Sequence, residues 1–149
     1  MTLEDALEIY RNCDPLIANC ETCNLNKPMT SKHTICASFN DIASYWDFMP
    51  EKLKCTFDPA HIIYAGIPVE RVLAIVGPRL AHVHLRDAVK GNSMLPYGQG
   101  CNDFKTLFRL LDGYGYKGKF SMEFPGGPDL AETTAEFKRG LAFLRKQAR

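Results

Sequence analysis

The fold is most clearly indicated by the segment Leu80-Ala-His-Val-His-Leu-Arg-Asp87. Residues 80–84 form an apolar run of strand length that ends in a histidine. A helix is predicted before this strand, opened by Pro68 and closed by Gly77-Pro78, and another is predicted after it, capped by Asn102. Strands that alternate with helices predict an α/β fold in which helices pack against a parallel sheet.

The same alternation continues toward both ends of the chain. The other predicted elements are helices over residues 3–12, 38–49 and 129–147, strands over 16–20, 54–57 and 119–122, and loops over 24–37, 88–101 and 124–128. The order is a helix followed by four strand–helix units without a linker, so residues 1–149 are predicted to form a single domain. The four strands are apolar nearly throughout, which predicts a sheet covered on both faces.

The composition is that of an ordinary globular protein, with 46% hydrophobic residues and a formal net charge of +1. Balanced charge argues against nucleic-acid binding, and no apolar run approaches the length of a bilayer span, so no membrane partner is expected. The acidic start MTLEDALEIY is not typical of a signal peptide. The six cysteines are therefore expected to be free thiols in the cytoplasm. Cys20-x-x-Cys23 has the spacing of a zinc or redox pair, but incidental buried thiols are the favoured interpretation.

Each predicted strand ends at a residue that could bind a metal, namely Glu21, Asp58, His84 or Glu123. Because the carboxyl ends of parallel strands lie on one side of a sheet, these side chains are expected to converge. Three carboxylates and one imidazole suit Mn²⁺, Mg²⁺, Co²⁺ or Zn²⁺. The competing interpretation is helix capping, which is the commoner role of a single acidic residue and applies directly to Asp58, since Pro59 follows it. His82 is expected on the same sheet face as His84, where a hydrogen-bonded core histidine is the favoured interpretation.

Five short motifs occur along the chain. In order they are Asn19-Cys20-Glu21, Phe57-Asp58-Pro59-Ala60-His61, His82-Val-His-Leu-Arg-Asp87, Gly98-Gln-Gly100 with Asp103-Phe104, and Gly115-Tyr-Lys-Gly118 leading to Met122-Glu123. Together they resemble the xylose isomerase-like superfamily of sugar phosphate isomerases and epimerases, an AP endonuclease family 2 type of TIM barrel that also includes endonuclease IV. The resemblance spans residues 16–124. It implies the C-terminal half of a (β/α)₈ TIM barrel, with four parallel β/α units preceded by a helix.

The resemblance also implies an active site. Glu21, Asp58, His84 and Glu123 would bind one divalent metal at the barrel mouth, and Glu21 and Glu123 would also move protons. In the family, the residue that matches His61 contacts a substrate oxygen, or a metal in the endonuclease branch. Arg86 stands where the family often has lysine, which makes it a candidate substrate contact. These residue types fit the removal of a proton beside a sugar carbonyl, with the metal stabilising the resulting enediolate.

Three functions follow from these observations. The first is a metal-dependent sugar isomerase or epimerase, or a related dehydratase that acts on a polyol-type substrate. The second is an endonuclease IV-like AP endonuclease, which is less favoured because no histidine occurs between His84 and Glu123 and the net charge is near zero. The third is a non-catalytic or partner-dependent half-barrel.

The length bears on all three functions, because a complete barrel needs about 250 residues and this chain has 149. Four strands alone would leave two open edges and an uncovered apolar face. The sequence therefore predicts a homodimer that completes the barrel.

Overall fold

A computed structural model describes Ala43 and residues 46–148. In chain order its strands are β1 (Cys55–Phe57), β2 (Leu80–Leu85), β3 (Asp87–Val89), β4 (Asn92–Leu95) and β5 (Lys119–Met122). Its helices are α1 (Pro59–Tyr64), α2 (Val69–Val76), α3 (Phe104–Gly113) and α4 (Leu130–Gln147), and short 3₁₀ turns occur at Trp46–Phe48 and Gly77–Arg79. The strands β1, β2 and β5 form a parallel sheet with β2 in the middle, and β3 pairs with β4 in a separate antiparallel hairpin.

The register of the parallel sheet brings three strand ends together. Phe57 of β1 lies opposite Val83 of β2, and Leu85 of β2 lies opposite Met122 of β5. The pairing of β2 with β5 continues for one more residue, since the Glu123 amide donates to the Leu85 carbonyl at 2.9 Å. The residues that follow β1 and β5 therefore lie beside the end of β2, at one edge of the sheet.

The hydrophobic core lies between this sheet and the apolar stripes of α2 and α3. Both stripes have the spacing of an amphipathic helix, so each helix turns one face toward the strands. The most deeply buried side chains of the core are those of Phe57, Val72, Leu73, Val76, Val83, Phe104 and Leu107. Leu144 of α4 also belongs to the core, although most of α4 is exposed to solvent. The strands that carry the candidate ligands are thus fixed by packing beneath them.

From residue 54 onward, the structure confirms the predicted alternation of strands and helices except at two places. The sequence did not predict helix α1 (Pro59–Tyr64) as an element, and the predicted loop over residues 88–101 contains two strands. The other differences are small shifts of the boundaries. β2 extends one residue further than predicted, to Leu85, and Pro68 caps α2 instead of being its first helical residue. The prediction that Asn102 caps α3 is wrong. Asp103 is the cap, since its side chain accepts from the Thr106 amide at 3.0 Å, whereas the Asn102 side chain donates to the Arg86 carbonyl at 3.0 Å.

The predicted loop over residues 88–101 contains regular structure instead. Residues 87–95 form the β3–β4 hairpin, in which Gly91 has a φ of 81° at the turn. Glycine adopts this left-handed conformation without the steric cost that a Cβ would add. The segment lacks the alternating apolar pattern of a half-buried hairpin, so the sequence did not predict it. In the structure the hairpin packs against α1.

The prediction of a sheet covered on both faces is wrong for β5. The Phe120 side chain is 44% exposed, and Lys119 is also exposed. Within residues 46–148, β5 pairs with a strand on one side only, which leaves its other edge unpaired. An apolar strand sequence is therefore present without the cover that its composition predicts.

Several predictions lie outside the described residues. These are the helix over 3–12, the strand over 16–20, the loop over 24–37, the Cys20-x-x-Cys23 pair and most of the helix over 38–49. Glu21 lies there as well, so its predicted place in the site stays a prediction. Within the described part of the chain, no helix has the length and apolar character needed to cross a membrane.

Candidate metal centre

The two carboxylate oxygens of Asp58 have different partners. Its Oδ1 accepts from the Ala60 amide at 2.9 Å and so caps α1, as the capping interpretation predicted. Its Oδ2 faces His61, His84 and Arg86. Burial raises the pKa of the Asp58 carboxyl, and the neighbouring Arg86 charge opposes that rise. Capping and membership of the site are therefore both realised, one through each oxygen.

Three of the four predicted ligands converge at the edge of the sheet. Asp58, His84 and Glu123 each offer one ligand atom, and these atoms lie within 4.8 Å of one another. His84 Nδ1 lies 2.7 Å from Glu123 Oε1 and 3.9 Å from Asp58 Oδ2. Two carboxylates and an imidazole are a donor set that divalent Mn²⁺, Mg²⁺, Co²⁺ and Zn²⁺ accept. The chemistry and the spacing of these donors thus fit a single divalent cation.

The members of this trio differ in their access to solvent. The Glu123 side chain is 35% exposed, whereas the Asp58 side chain is 2% exposed. The Asp58 carboxylate is held by a backbone amide, because it caps α1, whereas for Glu123 it is the backbone that is fixed, since its amide donates to the Leu85 carbonyl. A molecule arriving from solvent would therefore meet Glu123 before Asp58.

Arg86 and His61, the two predicted substrate contacts, lie in the same cluster. The Arg86 guanidinium donates to Asp58 Oδ2 and lies 3.1 Å from Glu123 Oε2, so it bridges the two carboxylates. Its Nη2 also lies 2.7 Å from His61 Nε2. In that contact His61 Nε2 is the acceptor, which places its ring hydrogen on Nδ1. The structure therefore assembles five side chains from α1 and from the ends of β1, β2 and β5.

Asp87 holds the backbone behind the cluster, a role that its sequence motif did not predict. Its carboxylate accepts four backbone amides: Gly98 at 2.8 Å, Gly100 at 2.9 Å, Ala88 at 2.9 Å and Asn102 at 3.2 Å. The side chain is buried, and each oxygen accepts two of these bonds. The available signal was the position of Asp87 at the end of one motif, 11 residues before the first glycine of another.

Tyr97 is a second supporting residue, and no sequence motif pointed to it. Its hydroxyl lies 2.5 Å from the Leu85 carbonyl and 3.1 Å from the Glu123 carbonyl. Burial raises the pKa of the Tyr97 phenol, so it stays protonated and able to donate. Tyr97 therefore ties the end of β2 to the backbone of a candidate ligand.

His82 lies one layer below His84 and has a structural partner. Its Nε2 lies 2.8 Å from the Ser121 hydroxyl, and its ring meets the His84 ring edge-on with centroids 5.2 Å apart. Burial lowers the pKa of the His82 imidazole, and the neighbouring His84 adds to that effect. The predicted hydrogen bond of His82 is therefore confirmed, but the residue is half-buried and does not belong to the core.

Comparison with known proteins supports the same fold. The chain is similar to inosose dehydratase of Klebsiella pneumoniae, with 28% identity covering 72% of this chain and 43% of that protein. It is also similar to inosose dehydratase of Geobacillus thermodenitrificans, with 31% identity covering 65% of this chain and 39% of that protein. The chain thus spans less than half the length of these relatives.

Two solved structures share the fold. D-psicose 3-epimerase from Clostridium cellulolyticum H10 matches with a TM-score of 0.59 and 16% identity, covering 80% of this chain and 46% of that chain. The 3-keto-D-glucoside 4-epimerase from E. coli matches with a TM-score of 0.56 and 23% identity, covering 73% of this chain and 40% of that chain.

The family assignment rests on a match to nearly the whole chain. A model described as the xylose isomerase-like TIM barrel matches residues 4–147. The parallel strands and their helices correspond to part of such a barrel, as the partial coverage of its relatives requires. The chain belongs to the xylose isomerase-like TIM barrel family.

Proposed function

We propose that this protein is a divalent-metal-dependent enzyme of sugar or polyol metabolism that moves a proton on the carbon next to a carbonyl group. The single observation that carries the proposal is the convergence of Asp58, His84 and Glu123 at the carboxyl edge of the sheet. Active sites of parallel α/β barrels form at this edge. Relatives named as inosose dehydratases support a keto-polyol or sugar substrate.

The differing exposure of the two carboxylates divides their roles in this proposal. Glu123 is the proton carrier, because its side chain is the more exposed of the two and is accessible from solvent. Asp58 is a ligand only, because it is buried and one of its oxygens is committed to the cap of α1. Glu21, which lies outside the described residues, is proposed as the second proton carrier and fourth ligand. His61 and Arg86 are proposed to bind substrate oxygens.

A divalent cation at this site would stabilise the negative charge that develops on the substrate oxygens as the proton leaves. His84 and Glu123 would be two of the ligands of that cation, and their nearest atoms, Nδ1 and Oε1, lie 2.7 Å apart. In the absence of a cation, that contact is a hydrogen bond in which His84 Nδ1 donates to the Glu123 carboxylate. Returning the proton to the opposite face of the enediolate gives an epimer, and returning it to the neighbouring carbon gives an isomer.

The proposal is tested by metal binding followed by proton exchange. Purified protein is stripped with a chelator, and the binding of Mn²⁺, Mg²⁺, Co²⁺ and Zn²⁺ is measured at neutral pH. The loaded protein is then incubated in D₂O with ketoses, ketose phosphates and keto-polyols, and deuterium at the carbon beside the carbonyl is detected by NMR. Exchange reports the proposed step even where no net product accumulates.

Two variants and one control make this test specific. Asp58→Asn is expected to weaken metal binding, and Glu123→Gln is expected to weaken it and to abolish deuterium exchange. Glu70→Gln is the matched control, since Glu70 is exposed on α2 and is not one of the five side chains of the cluster. A protein that binds none of the four metals would contradict the proposal. Metal binding without exchange of any substrate would favour the non-catalytic half-barrel.

We also infer that two copies of the chain pair to complete the barrel. The support is the unpaired edge of β5 within the described residues, together with Phe120, whose side chain is 44% exposed beside Phe108 and Tyr116. A parallel strand added at this edge would cover the aromatic side chains and satisfy the free backbone groups. Light scattering after size exclusion is expected to give twice the monomer mass of 16.8 kDa. The variant Phe120→Asp is expected to shift the protein to monomer, whereas a monomeric wild type at micromolar concentration would contradict the inference.

A further inference from the structure

Arg86 contacts the same two carboxylates that a metal ion would bind. It is 6% exposed, and its guanidinium bridges the two carboxylates of the candidate metal centre. Within the described residues, buried Asp58, half-buried Glu123 and this one guanidinium form a cluster that already contains a positive charge. The following inference rests on the proposed metal site and concerns how that site is filled.

The two carboxylates differ in whether one oxygen contacts both His84 and Arg86. Glu123 uses separate atoms, with Oε1 toward His84 and Oε2 toward Arg86. Asp58 has no such division, because its Oδ1 is bound to the Ala60 amide and its Oδ2 faces both His84 and Arg86. The one Asp58 oxygen that could bind a metal is therefore the oxygen to which Arg86 donates.

The Arg86 side chain contacts Asp58, Glu123 and His61 through its Nη atoms, but it does not use all of its donors. Its Nε is buried and makes no hydrogen bond to any described residue. The Arg86 backbone, in contrast, is fixed. Its carbonyl accepts from the Asn102 side-chain amide, and the side chain of the neighbouring Asp87 accepts from the Ala88 amide. The guanidinium can therefore move by side-chain rotation without disturbing the strand end.

We propose that Arg86 is an internal cation that competes with the divalent metal for Asp58 Oδ2. In the metal-free protein its guanidinium holds Asp58 and Glu123 together and offsets the repulsion between their charges. When a divalent cation binds, Arg86 releases Asp58 and keeps its contact with Glu123 Oε2. The Nη2 group released from Asp58 then lies beside the metal, where it can donate a hydrogen bond to a substrate oxygen. Metal binding therefore precedes substrate binding.

The test compares Mn²⁺ affinity, read from the electron paramagnetic resonance signal of free Mn²⁺, in chelator-stripped protein. Arg86→Met and Arg86→Gln remove the charge, and both are expected to bind Mn²⁺ about tenfold more tightly or better, because a like charge no longer faces the metal. Arg86→Lys keeps the charge and is expected to bind with nearly wild-type affinity. Arg145→Met is the matched control, since Arg145 is exposed on α4.

Thermal unfolding gives a second readout that does not depend on activity. The neutral variants are expected to unfold at a lower temperature than wild type without metal, and to gain more than wild type when Mn²⁺ is added. Arg86→Gln keeps a hydrogen-bonding group, so it serves where Arg86→Met fails to fold. If wild type binds Mn²⁺ and the folded neutral variants bind it equally or more weakly, the inference is wrong and the proposed metal site stands. If neither wild type nor the variants bind Mn²⁺, the proposed metal site fails and the inference fails with it.

Discussion

Replacing Asp87 by asparagine tests how the strand end behind the site is held. The Asp87 carboxylate accepts four backbone amides, two on each oxygen, and the side chain is 1% exposed. Asparagine has the same shape, but its amide group keeps one acceptor oxygen and replaces the other with a donor. Two backbone N–H groups would then face an N–H₂ group instead of an oxygen. The substitution thus removes two hydrogen bonds and a charge without creating a cavity.

The magnitude follows from those two lost bonds. A donor left without a partner costs about 1–3 kcal/mol, and a hydrogen bond to a charged group contributes about 1.5–3 kcal/mol. Water reaches part of this loop, because Gly98 and Cys101 are exposed, and it replaces some of the loss. We expect Asp87→Asn to lower the free energy of unfolding by about 2–4 kcal/mol, a large share of the roughly 5–15 kcal/mol of a typical domain.

Urea unfolding measures this loss directly. The single tryptophan, Trp46, is buried, so its fluorescence reports the transition. All variants are compared at one protein concentration, because association would change the apparent stability. Asp112→Asn is the control, since Asp112 is exposed at the end of α3 and is expected to change stability by less than about 0.5 kcal/mol. A loss below about 1 kcal/mol for Asp87→Asn, with an unchanged urea dependence, would refute the idea that this carboxylate organises the loop.

Three further predictions concern residues around the site and the open edge. Tyr97→Phe removes the hydroxyl that lies within 3.1 Å of both the Leu85 and Glu123 carbonyls, and should cost about 1–2 kcal/mol in urea unfolding; an unchanged midpoint would show that the hydroxyl is dispensable. Gly100→Ala places a Cβ where it overlaps the Asp87 carboxylate, and should cost about 2 kcal/mol or more; a soluble variant of wild-type stability would contradict this geometry. Burial raises the pKa of Tyr116 to about 12, above the unfolded value of about 10. Its stabilising contribution is therefore complete below pH of about 10 and is lost as the pH rises through about 12. The stability difference between wild type and Tyr116→Phe should shrink over that interval, and a constant difference would exclude the effect.

Within residues 46–148, the sequence alone predicted most of the helices and strands, although not α1, because apolar periodicity and turn residues are local signals. The strand over 119–122 was predicted with the bounds that the structure has, and the strands near Cys55 and Leu80 within one residue at each end. The spacing of these strands also predicted that Asp58, His84 and Glu123 would meet, since parallel strands end on one side of a sheet. The family was likewise indicated by short sequence motifs.

The errors arose where contacts distant in sequence decide the outcome. The β3–β4 hairpin forms without an alternating pattern, because it packs on α1 and is anchored through Asp87. The cap of α3 shifted from Asn102 to Asp103, since the Asn102 side chain found a partner 16 residues away. Neither partner can be identified from the local sequence.

The sequence by itself determined which residue types stand at the strand ends, and so which chemistry the site supports. Only the tertiary structure decided which partner each oxygen atom of those residues contacts. Asp58 caps a helix with one oxygen and faces the site with the other, and Arg86 bridges that second oxygen to Glu123. The physical reason is that residue order fixes strand ends through local periodicity, whereas the partner of each oxygen depends on distances across three separate strands.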